Sequence, residues 1–207
     1  MTSALTLYTN PMSRGRIARW MMEEIGQPYQ VEMLDYGEAM KAPEYLAINP
    51  MGKVPCLVHG DQVVTETAAI CAYMAEAFPD AGYAPTAAER GDYYRALFFF
   101  AGPVEAAVIN KSMGFDVPAN QTMVAGYGTY DKAMQGVEQM LSRAPYVAGD
   151  RFTAADVYIG AHMGWGLQFG TIPERDVFKD YAARVQDRDA FRRAAKLDDL
   201  AMPKEDG

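Results

Sequence analysis

The spacing of the apolar residues changes repeatedly along the first 78 residues, and this change constrains the fold more than any other feature of the sequence. Residues 4–8 form a short apolar run that turn-forming residues follow, as in a β-strand. Between Ile17 and Ile25 the apolar residues recur every three or four positions, which indicates an amphipathic helix. Residues 29–34 predict a second strand. A strand, a helix and a strand in succession predict a βαβ unit.

The rest of this segment predicts a β-hairpin and another helix. Residues 43–48 hold one or two helical turns and precede a strong Asn-Pro-Met-Gly turn. Residues 55–58 and 62–64 flank the sequence His-Gly-Asp, which is typical of a hairpin. Residues 65–78 then show the helical spacing of apolar side chains. The predicted order of elements for residues 1–78 is therefore β-α-β-(α)-β-β-α.

The remainder of the chain predicts a second, all-helical domain. Residues 79–90 are rich in Ala, Pro, Asp and Gly, which is typical of a linker. Strand signals end there, and four helical stretches follow at residues 94–101, 124–141, 153–168 and 176–195. Thr153 and Asp156 match the pattern of a capping box at the start of the third stretch. We therefore predict an α/β domain over residues 1–78, a linker over 79–90 and a helical domain over 91–207.

Composition and charge exclude several classes of function. The 207 residues include 19 Lys and Arg against 27 Asp and Glu, a net charge of −8, whereas a nucleic-acid-binding protein needs a basic surface. The two cysteines form no C-x-x-C motif, and two histidines are too few for a His-rich metal site. The most apolar run, residues 96–104, is about half as long as a bilayer-spanning helix, and no signal peptide is apparent. We expect a cytoplasmic protein with no metal, no nucleic-acid partner and no membrane segment.

The first predicted helix begins with a serine and a group of arginines. Ser13 is a favoured N-cap residue, and Arg14, Arg16 and Arg19 precede Glu23, the first acidic residue of the helix. A helix N-terminus surrounded by arginines is suited to bind an anion. The alternative is that Ser13 only caps the helix while the arginines are solvated, and the motif taken alone favours this alternative.

A proline stands at the start of the strand that the sequence Lys-Val-Pro-Cys-Leu predicts at residues 53–57. A trans Pro55 is compatible with an edge strand. A cis Val54–Pro55 bond would instead turn the backbone of Val54 outward, where its N–H and carbonyl would pair with an extended peptide. Both interpretations are open at the level of the residues.

Glu66 and Thr67 open the next predicted helix, where unpaired backbone N–H groups point away from the helix. These amides and the Thr67 hydroxyl would hold a carboxylate ligand, while Glu66 would pair with an ammonium group. The alternative is an ordinary capped helix with an acidic residue in its first turn.

The order and spacing of these motifs resemble the cytosolic glutathione transferase family in its bacterial form. The resemblance covers residues 4–195 and is carried by Ser13, by residues 53–57, by Thr-Glu-Thr-Ala-Ala-Ile at 65–70 and by Phe-Thr-Ala-Ala-Asp at 152–156. It implies the glutathione transferase architecture, in which a thioredoxin-like α/β domain with a mixed four-stranded sheet precedes an all-α helical domain.

The resemblance implies a glutathione site in the first domain. Lys53 would meet the glycyl carboxylate of glutathione, and the backbone of Val54 would pair with its cysteinyl residue beside a cis Pro55. Glu66 and Thr67 would hold the γ-glutamyl end. The second substrate, a small hydrophobic electrophile, would lie between the domains.

Ser13 would donate a hydrogen bond to the glutathione sulfur, as in the serine-type members of the family. Lowering a thiol pKa from about 8.5 by about two units needs roughly 2.7 kcal/mol. A hydrogen bond to a charged acceptor supplies about 1.5–3 kcal/mol and a helix N-terminus about 0.3–2 kcal/mol, so no metal is required. Many serine-type relatives carry Ser, Cys or Arg in the preceding loop, whereas this chain has Asn-Pro-Met at 10–12. Asn10 is therefore a second candidate donor to the thiolate.

The activity that the resemblance implies is that of a glutathione S-transferase, which conjugates the glutathione thiolate to hydrophobic electrophiles in detoxification. The same site would serve a glutathione-dependent isomerase, ether-cleaving lyase or peroxidase. A further alternative is a glutathione- or ligand-binding protein without turnover. The resemblance also implies a homodimer, for which residues 69–78 and 94–101 are the candidate surfaces.

Overall fold

The computed structural model describes residues 4–203 of the chain. The strands are β1 (Leu5–Thr9), β2 (Gln30–Met33), β3 (Cys56–His59) and β4 (Gln62–Thr65). The α-helices are α1 (Gly15–Ile25), α2 (Glu38–Lys41), α3 (Pro43–Leu46), α4 (Thr67–Ala77), α5 (Arg90–Phe99), α6 (Glu105–Ser112), α7 (Tyr130–Leu141), α8 (Ala154–Gln168), α9 (Asp176–Gln186) and α10 (Asp189–Leu200). A π-helical turn (Phe100–Val104) joins α5 to α6, and 3-10 turns lie at Pro79–Ala81 and Ala119–Gln121.

The chain divides into two compact units. The first runs up to Gly82 and resumes at Asp187, and the second is Tyr83–Gln186. The first unit contains the sheet, in the order β2-β1-β3-β4. β1 is parallel to β2 and antiparallel to β3, and β3 forms an antiparallel hairpin with β4. The prediction of a mixed four-stranded sheet is therefore confirmed.

The core of the first unit lies where α1 packs against β1 and α4. Leu7 on β1, Leu57 on β3 and Trp20 on α1 are almost completely buried there. α1 begins unusually close to the sheet, because a Cβ at Gly15 would lie 1.9 Å from the Oγ1 atom of Thr9. Glycine at the start of this helix has a low intrinsic helix propensity, and this close approach is the reason that it stands there.

The last helix, α10, packs along α1 within the first unit. The rings of Trp20 and Phe191 meet edge to face, with their centroids 4.9 Å apart. The single helical stretch expected over residues 176–195 is two helices, because Arg188 has an extended backbone between α9 and α10. The helical domain expected over residues 91–207 thus differs from the observed units, since its last segment groups with the sheet.

The described part of the second unit is helical, and the capping box predicted at Thr153 and Asp156 is present at the start of α8. The Oδ2 atom of Asp156 accepts hydrogen bonds from the Thr153 N–H and hydroxyl, each 2.9 Å long. Its Oδ1 atom accepts from the Val147 N–H and the Tyr181 hydroxyl, also at 2.9 Å. This buried carboxyl group therefore connects α8 to α9 and to the segment before α8.

Candidate functional site

The register of the sheet brings three of the predicted segments to one end of the sheet. Where β1 pairs with β3, the end of β1 lies opposite Cys56, the first residue of β3. Where β3 pairs with β4, Cys56 lies opposite Thr65, the last residue of β4. The loop 10–14 follows β1, Val54 lies two residues before Cys56, and Glu66 directly follows Thr65. These segments therefore leave the same end of the sheet, on strands that are direct neighbours.

Ser13 lies in the loop between β1 and α1, and its side chain is half-buried. Its hydroxyl donates a hydrogen bond to the backbone carbonyl of Asn10 at 2.7 Å and accepts one from the Gly15 N–H at 2.9 Å. The N-cap position of α1 is Arg14, one residue later than expected. Ser13 nevertheless occupies the N-terminus of α1, where helix amides and the helix dipole favour an anion.

Asn10 is buried, and both ends of its amide side chain hold the loop in place. Its Nδ2 atom donates to the carbonyl of Leu34, which follows β2, at 2.9 Å, and its Oδ1 atom accepts from the Met12 N–H at 2.9 Å. The loop carrying Ser13 is thereby fixed to the neighbouring strand. Of the two candidate donors, Ser13 is the more exposed.

The Val54–Pro55 peptide bond is cis, as the family resemblance implies. Within residues 4–203, neither the N–H nor the carbonyl of Val54 has a hydrogen-bond partner. The preceding turn is anchored instead by the carbonyl of Lys53, which accepts from the Tyr45 hydroxyl and from Asn49 Nδ2. The Lys53 side chain is exposed. The backbone of Val54 is therefore free to pair with an extended peptide, as strand addition requires.

Glu66 stands directly before α4 with a backbone φ of 65° and ψ of 116°. It is the only non-glycine residue with positive φ in the part of the chain that the structure describes. Such a conformation costs about 1–3 kcal/mol and is concentrated at functional sites. Its side chain is exposed and makes no capping hydrogen bond to α4, whereas Thr67 is buried. The first amides of α4 thus have no side-chain cap, contrary to the alternative of an ordinary capped helix.

Two of the three arginines considered as an anion site, Arg16 and Arg19, are paired with acidic residues within the protein. Arg16 donates to the carbonyl of Pro11 and to Asp199 of α10, each at 2.6 Å. Arg19 is buried and donates to the equally buried Asp198 of α10 at 2.7 Å. Neither side chain is therefore held ready for an anion, and only Arg19 is shielded from solvent. The sequence signal that was missed is the pair of acidic residues at the end of α10.

The cysteines and potential metal ligands offer no competing site. Cys56 and Cys71 are both buried thiols, and burial raises the pKa of Cys56 to about 11 and raises the pKa of Cys71 further. Among residues 4–203, no three His, Cys, Asp or Glu side chains cluster closely enough to hold a metal ion. In the same part of the chain, every helix is too short or too polar to cross a bilayer.

Comparison with known proteins identifies the family. Residues 3–76 match the family model described as glutathione S-transferase, N-terminal domain. Glutathione S-transferase F10 of Arabidopsis thaliana is 32% identical over 173 residues, which cover 77% of this chain and 78% of the plant protein. This chain belongs to the glutathione S-transferase family. The sequence-based prediction of a glutathione transferase is thereby confirmed.

Solved structures of glutathione transferases share the fold along almost the whole chain. The enzyme from Methylococcus capsulatus str. Bath has a TM-score of 0.77 and 26% identity, and the match covers 95% of this chain and 100% of that one. A glutathione transferase homologue from Sulfitobacter, solved with bound glutathione, has a TM-score of 0.74 and 26% identity, with 97% and 100% of the two chains covered. The predicted thioredoxin-like fold of the first unit is therefore that of the glutathione transferases.

Proposed function

We propose that this chain binds glutathione at the end of the sheet where the Ser13 loop, Val54 and Glu66 meet, and that it transfers the glutathione thiolate to small hydrophobic electrophiles. The sheet register carries the proposal, because it brings a hydroxyl at a helix N-terminus, an unpaired backbone edge and a second helix N-terminus to neighbouring strands. The bound glutathione in the Sulfitobacter homologue supports the choice of ligand.

Each part of glutathione has a complementary group at this end of the sheet. The cysteinyl backbone pairs with the N–H and carbonyl of Val54, which have no partner within residues 4–203. The γ-glutamyl carboxylate lies against the first amides of α4 and the Thr67 hydroxyl, and its ammonium group pairs with the Glu66 carboxylate. The exposed side chain of Lys53 meets the glycyl carboxylate. A cis Pro55 adjoins the cysteinyl position.

Ser13 stabilises the thiolate of bound glutathione. The proton of the thiol leaves to solvent, and the Ser13 hydroxyl turns from the Asn10 carbonyl to donate to the sulfur. The Asn10 carbonyl keeps the backbone N–H of Ser13 as a donor at 3.1 Å, so this rotation leaves it hydrogen-bonded. The sulfur then attacks the electrophilic carbon, where a carbon–sulfur bond forms and the leaving group departs with its electron pair. Asn10 shapes the loop and is the alternative donor.

We propose a cytoplasmic homodimer that serves detoxification. The candidate surfaces from the sequence fall on α4 and α5, and Phe98 of α5 is 73% exposed. A second copy of the chain that contacts α5 would bury this side chain, which is favourable for apolar surface. Sedimentation equilibrium of the wild type and of Phe98→Glu measures the oligomeric state. A wild-type dimer that dissociates in Phe98→Glu supports the proposal, and a wild-type monomer contradicts it.

Turnover with two substrates tests the function. Glutathione-dependent conjugation of 1-chloro-2,4-dinitrobenzene and reduction of cumene hydroperoxide are measured for the wild type, Ser13→Ala and Asn10→Ala. We expect conjugation, and a loss of about 10- to 100-fold in kcat/KM for Ser13→Ala, because one hydrogen bond to a charged acceptor is lost. Ser112→Ala is the matched control, since its hydroxyl also donates to a backbone carbonyl three residues earlier, at 2.8 Å.

The pattern of results separates the alternatives. Full activity in Ser13→Ala together with a loss in Asn10→Ala would transfer the catalytic role to Asn10. Peroxide reduction without conjugation would favour a peroxidase. Glutathione binding without turnover on a broad panel of electrophiles would favour a binding protein.

A further inference from the structure

Arg16 joins the loop that carries Ser13 to the last helix of the chain. Its Nε atom donates to the carbonyl of Pro11, and its Nη2 atom donates to Asp199 Oδ1 on α10, both at 2.6 Å. We propose that Arg16, held in place by Asp199, is a positioning residue that fixes the Ser13 loop for thiolate stabilisation. The proposal rests on the proposed glutathione transferase function and extends its site to α10.

The peptide group between Pro11 and Met12 is held from both sides. Its carbonyl oxygen accepts from Arg16, and its N–H donates to Asn10 Oδ1 at 2.9 Å. Proline has no N–H of its own, so this carbonyl is the only backbone hydrogen-bonding group of Pro11. Fixing this peptide plane fixes the direction in which the chain enters Ser13. Arg16 and Asn10 therefore act on the same peptide group.

Within residues 4–203, the pair Arg16–Asp199 is one of four ion pairs that join α1 to α10 or to Arg188, the residue directly before α10. The others are Arg19–Asp198, Glu23–Arg193 and Glu24–Arg188. The helices run antiparallel, so the Arg16 pair lies at the N-terminus of α1, next to the loop. Asp199 is 67% exposed, and an exposed ion pair adds little stability. This pair instead fixes the orientation of the Arg16 guanidinium group, so that its Nε atom donates to the loop.

Two physical roles for Arg16 predict opposite results. If Arg16 acted only through its positive charge, Asp199→Asn would unmask that charge and lower the pKa of bound glutathione, and Arg16→Lys would leave the pKa unchanged. If Arg16 positions the loop, Asp199→Asn frees the guanidinium group and Arg16→Lys removes its two-pronged geometry. Both changes then raise the pKa of bound glutathione.

The experiment titrates the glutathione thiol, bound to the full chain, by the ultraviolet absorption of the thiolate. We expect Arg16→Lys and Asp199→Asn each to raise its pKa by about half to one unit, a three- to tenfold loss of thiolate stabilisation. The value of kcat/KM below neutral pH should fall by the same factor. The double variant should shift the pKa no further than the larger single change, because the two residues act as one unit.

Arg193→Lys is the matched control. Arg193 likewise donates to one carboxylate and to one backbone carbonyl, and it joins α10 to α1. Its Nε atom donates to the carboxylate of Glu23 and its Nη2 atom to the carbonyl of Glu23, each at 3.1 Å, so the two nitrogens have the opposite partners from those of Arg16. If Arg193→Lys shifts the pKa of bound glutathione equally, the shift comes from weaker packing of α10 against α1, and the proposal is overturned. A lowered pKa in Asp199→Asn, or no shift in either variant, would also overturn it. A wild type whose bound thiol titrates like free glutathione would instead refute the proposed function.

Discussion

Gly15 and Thr9 set how closely α1 approaches β1. A Cβ at Gly15 would lie 1.9 Å from Thr9 Oγ1 and 3.0 Å from Ser13 Oγ. Thr9 is fully buried, and its hydroxyl oxygen has no hydrogen-bond partner within residues 4–203. A side chain at position 15 would therefore displace both the helix and the serine that we place at the thiolate.

Gly15→Ala should destabilise the protein although alanine is the better helix former. We expect the free energy of unfolding to fall by about 1–3 kcal/mol in urea denaturation, because the added methyl group overpacks the site. Gly91→Ala on α5, where a Cβ meets nothing within 4 Å, is the control and should be neutral or stabilising. In a Thr9→Ala background most of the loss should disappear. An equal loss in both backgrounds would contradict the proposed clash.

We predict that Glu66 lowers the stability of the protein through its strained backbone and strengthens the binding of glutathione through its carboxylate. Glu66→Gly should raise the free energy of unfolding by about 1 kcal/mol, because glycine adopts a φ of 65° without strain. The same variant should bind glutathione about tenfold more weakly in calorimetry, since it lacks the carboxylate for the ammonium group. Glu66→Gln keeps the strain and loses only the charge. A Glu66→Gly variant no more stable than Glu66→Gln would count against strain at this residue.

At the scale of the elements, α10 is attached to α1 by a buried ion pair. Arg19 and Asp198 are 6% and 0% exposed. Burial raises the pKa of the Asp198 carboxyl group, and the neighbouring Arg19 opposes that shift. One oxygen of Asp198 has no hydrogen-bond partner within residues 4–203, so the guanidinium group is the main partner of this carboxyl group.

Asp198→Ala should weaken the docking of α10 strongly. Removing the carboxylate leaves a buried guanidinium group without its partner, and we expect a loss of about 3 kcal/mol in the free energy of unfolding. Asp189→Ala on the same helix removes a carboxylate that is 85% exposed, and should change stability by no more than about 0.5 kcal/mol. Chemical denaturation of both variants checks the contrast, and equal effects would refute it.

The start of α5 carries a pH-dependent contact with the segment before α8. Arg151 donates two hydrogen bonds to the Glu89 carboxylate, which also accepts from the Thr86 N–H. The hydrogen bond from Arg151 lowers the pKa of Glu89 below its ordinary value of 4.5. The Glu89 carboxylate thus binds a proton less readily in the folded state than in the unfolded chain. The stabilisation is complete above pH 4.5 and is lost as the pH falls through the lowered value.

In Glu89→Gln, the free energy of unfolding should therefore decrease less steeply as the pH falls below 4.5. Denaturation midpoints measured from neutral pH downward should decline less steeply below pH 4.5 in the variant than in the wild type. Asp92→Asn is the control, because its ion pairs with Arg95 and Arg143 are longer and more exposed. Identical acid profiles for the wild type and Glu89→Gln would exclude a contribution from this contact.

At the scale of the whole molecule, the spacing of apolar residues and the turn residues predicted the order of the elements over residues 1–78 except for α2, which is too short to show a helical period. The position of α10 could not be predicted in this way. Arg16 and Asp199 are 183 positions apart, and charges at the end of a helix do not indicate which other helix they meet. The role of Gly15 was hidden for the same reason, since it depends on the buried hydroxyl of Thr9.

The cis Val54–Pro55 bond was expected only from the family resemblance, because the residues alone left both isomers open, and the positive φ of Glu66 was not predicted. The pairing of Arg16 and Arg19 within the protein was not predicted either. In a chain with a net charge of −8, the proposed site would attract the two carboxylates and the thiolate of glutathione through helix amides and Lys53.

The most direct test of this account is a titration of the thiol of glutathione bound to the wild type and to Ser13→Ala. In the wild type we expect a pKa about two units below the free value of about 8.5. In Ser13→Ala we expect a pKa about one to two units higher than in the wild type, because the α1 amides remain and the hydroxyl is lost. An unshifted thiol in the wild type, or identical values in both proteins, would contradict the claim that Ser13 stabilises the thiolate.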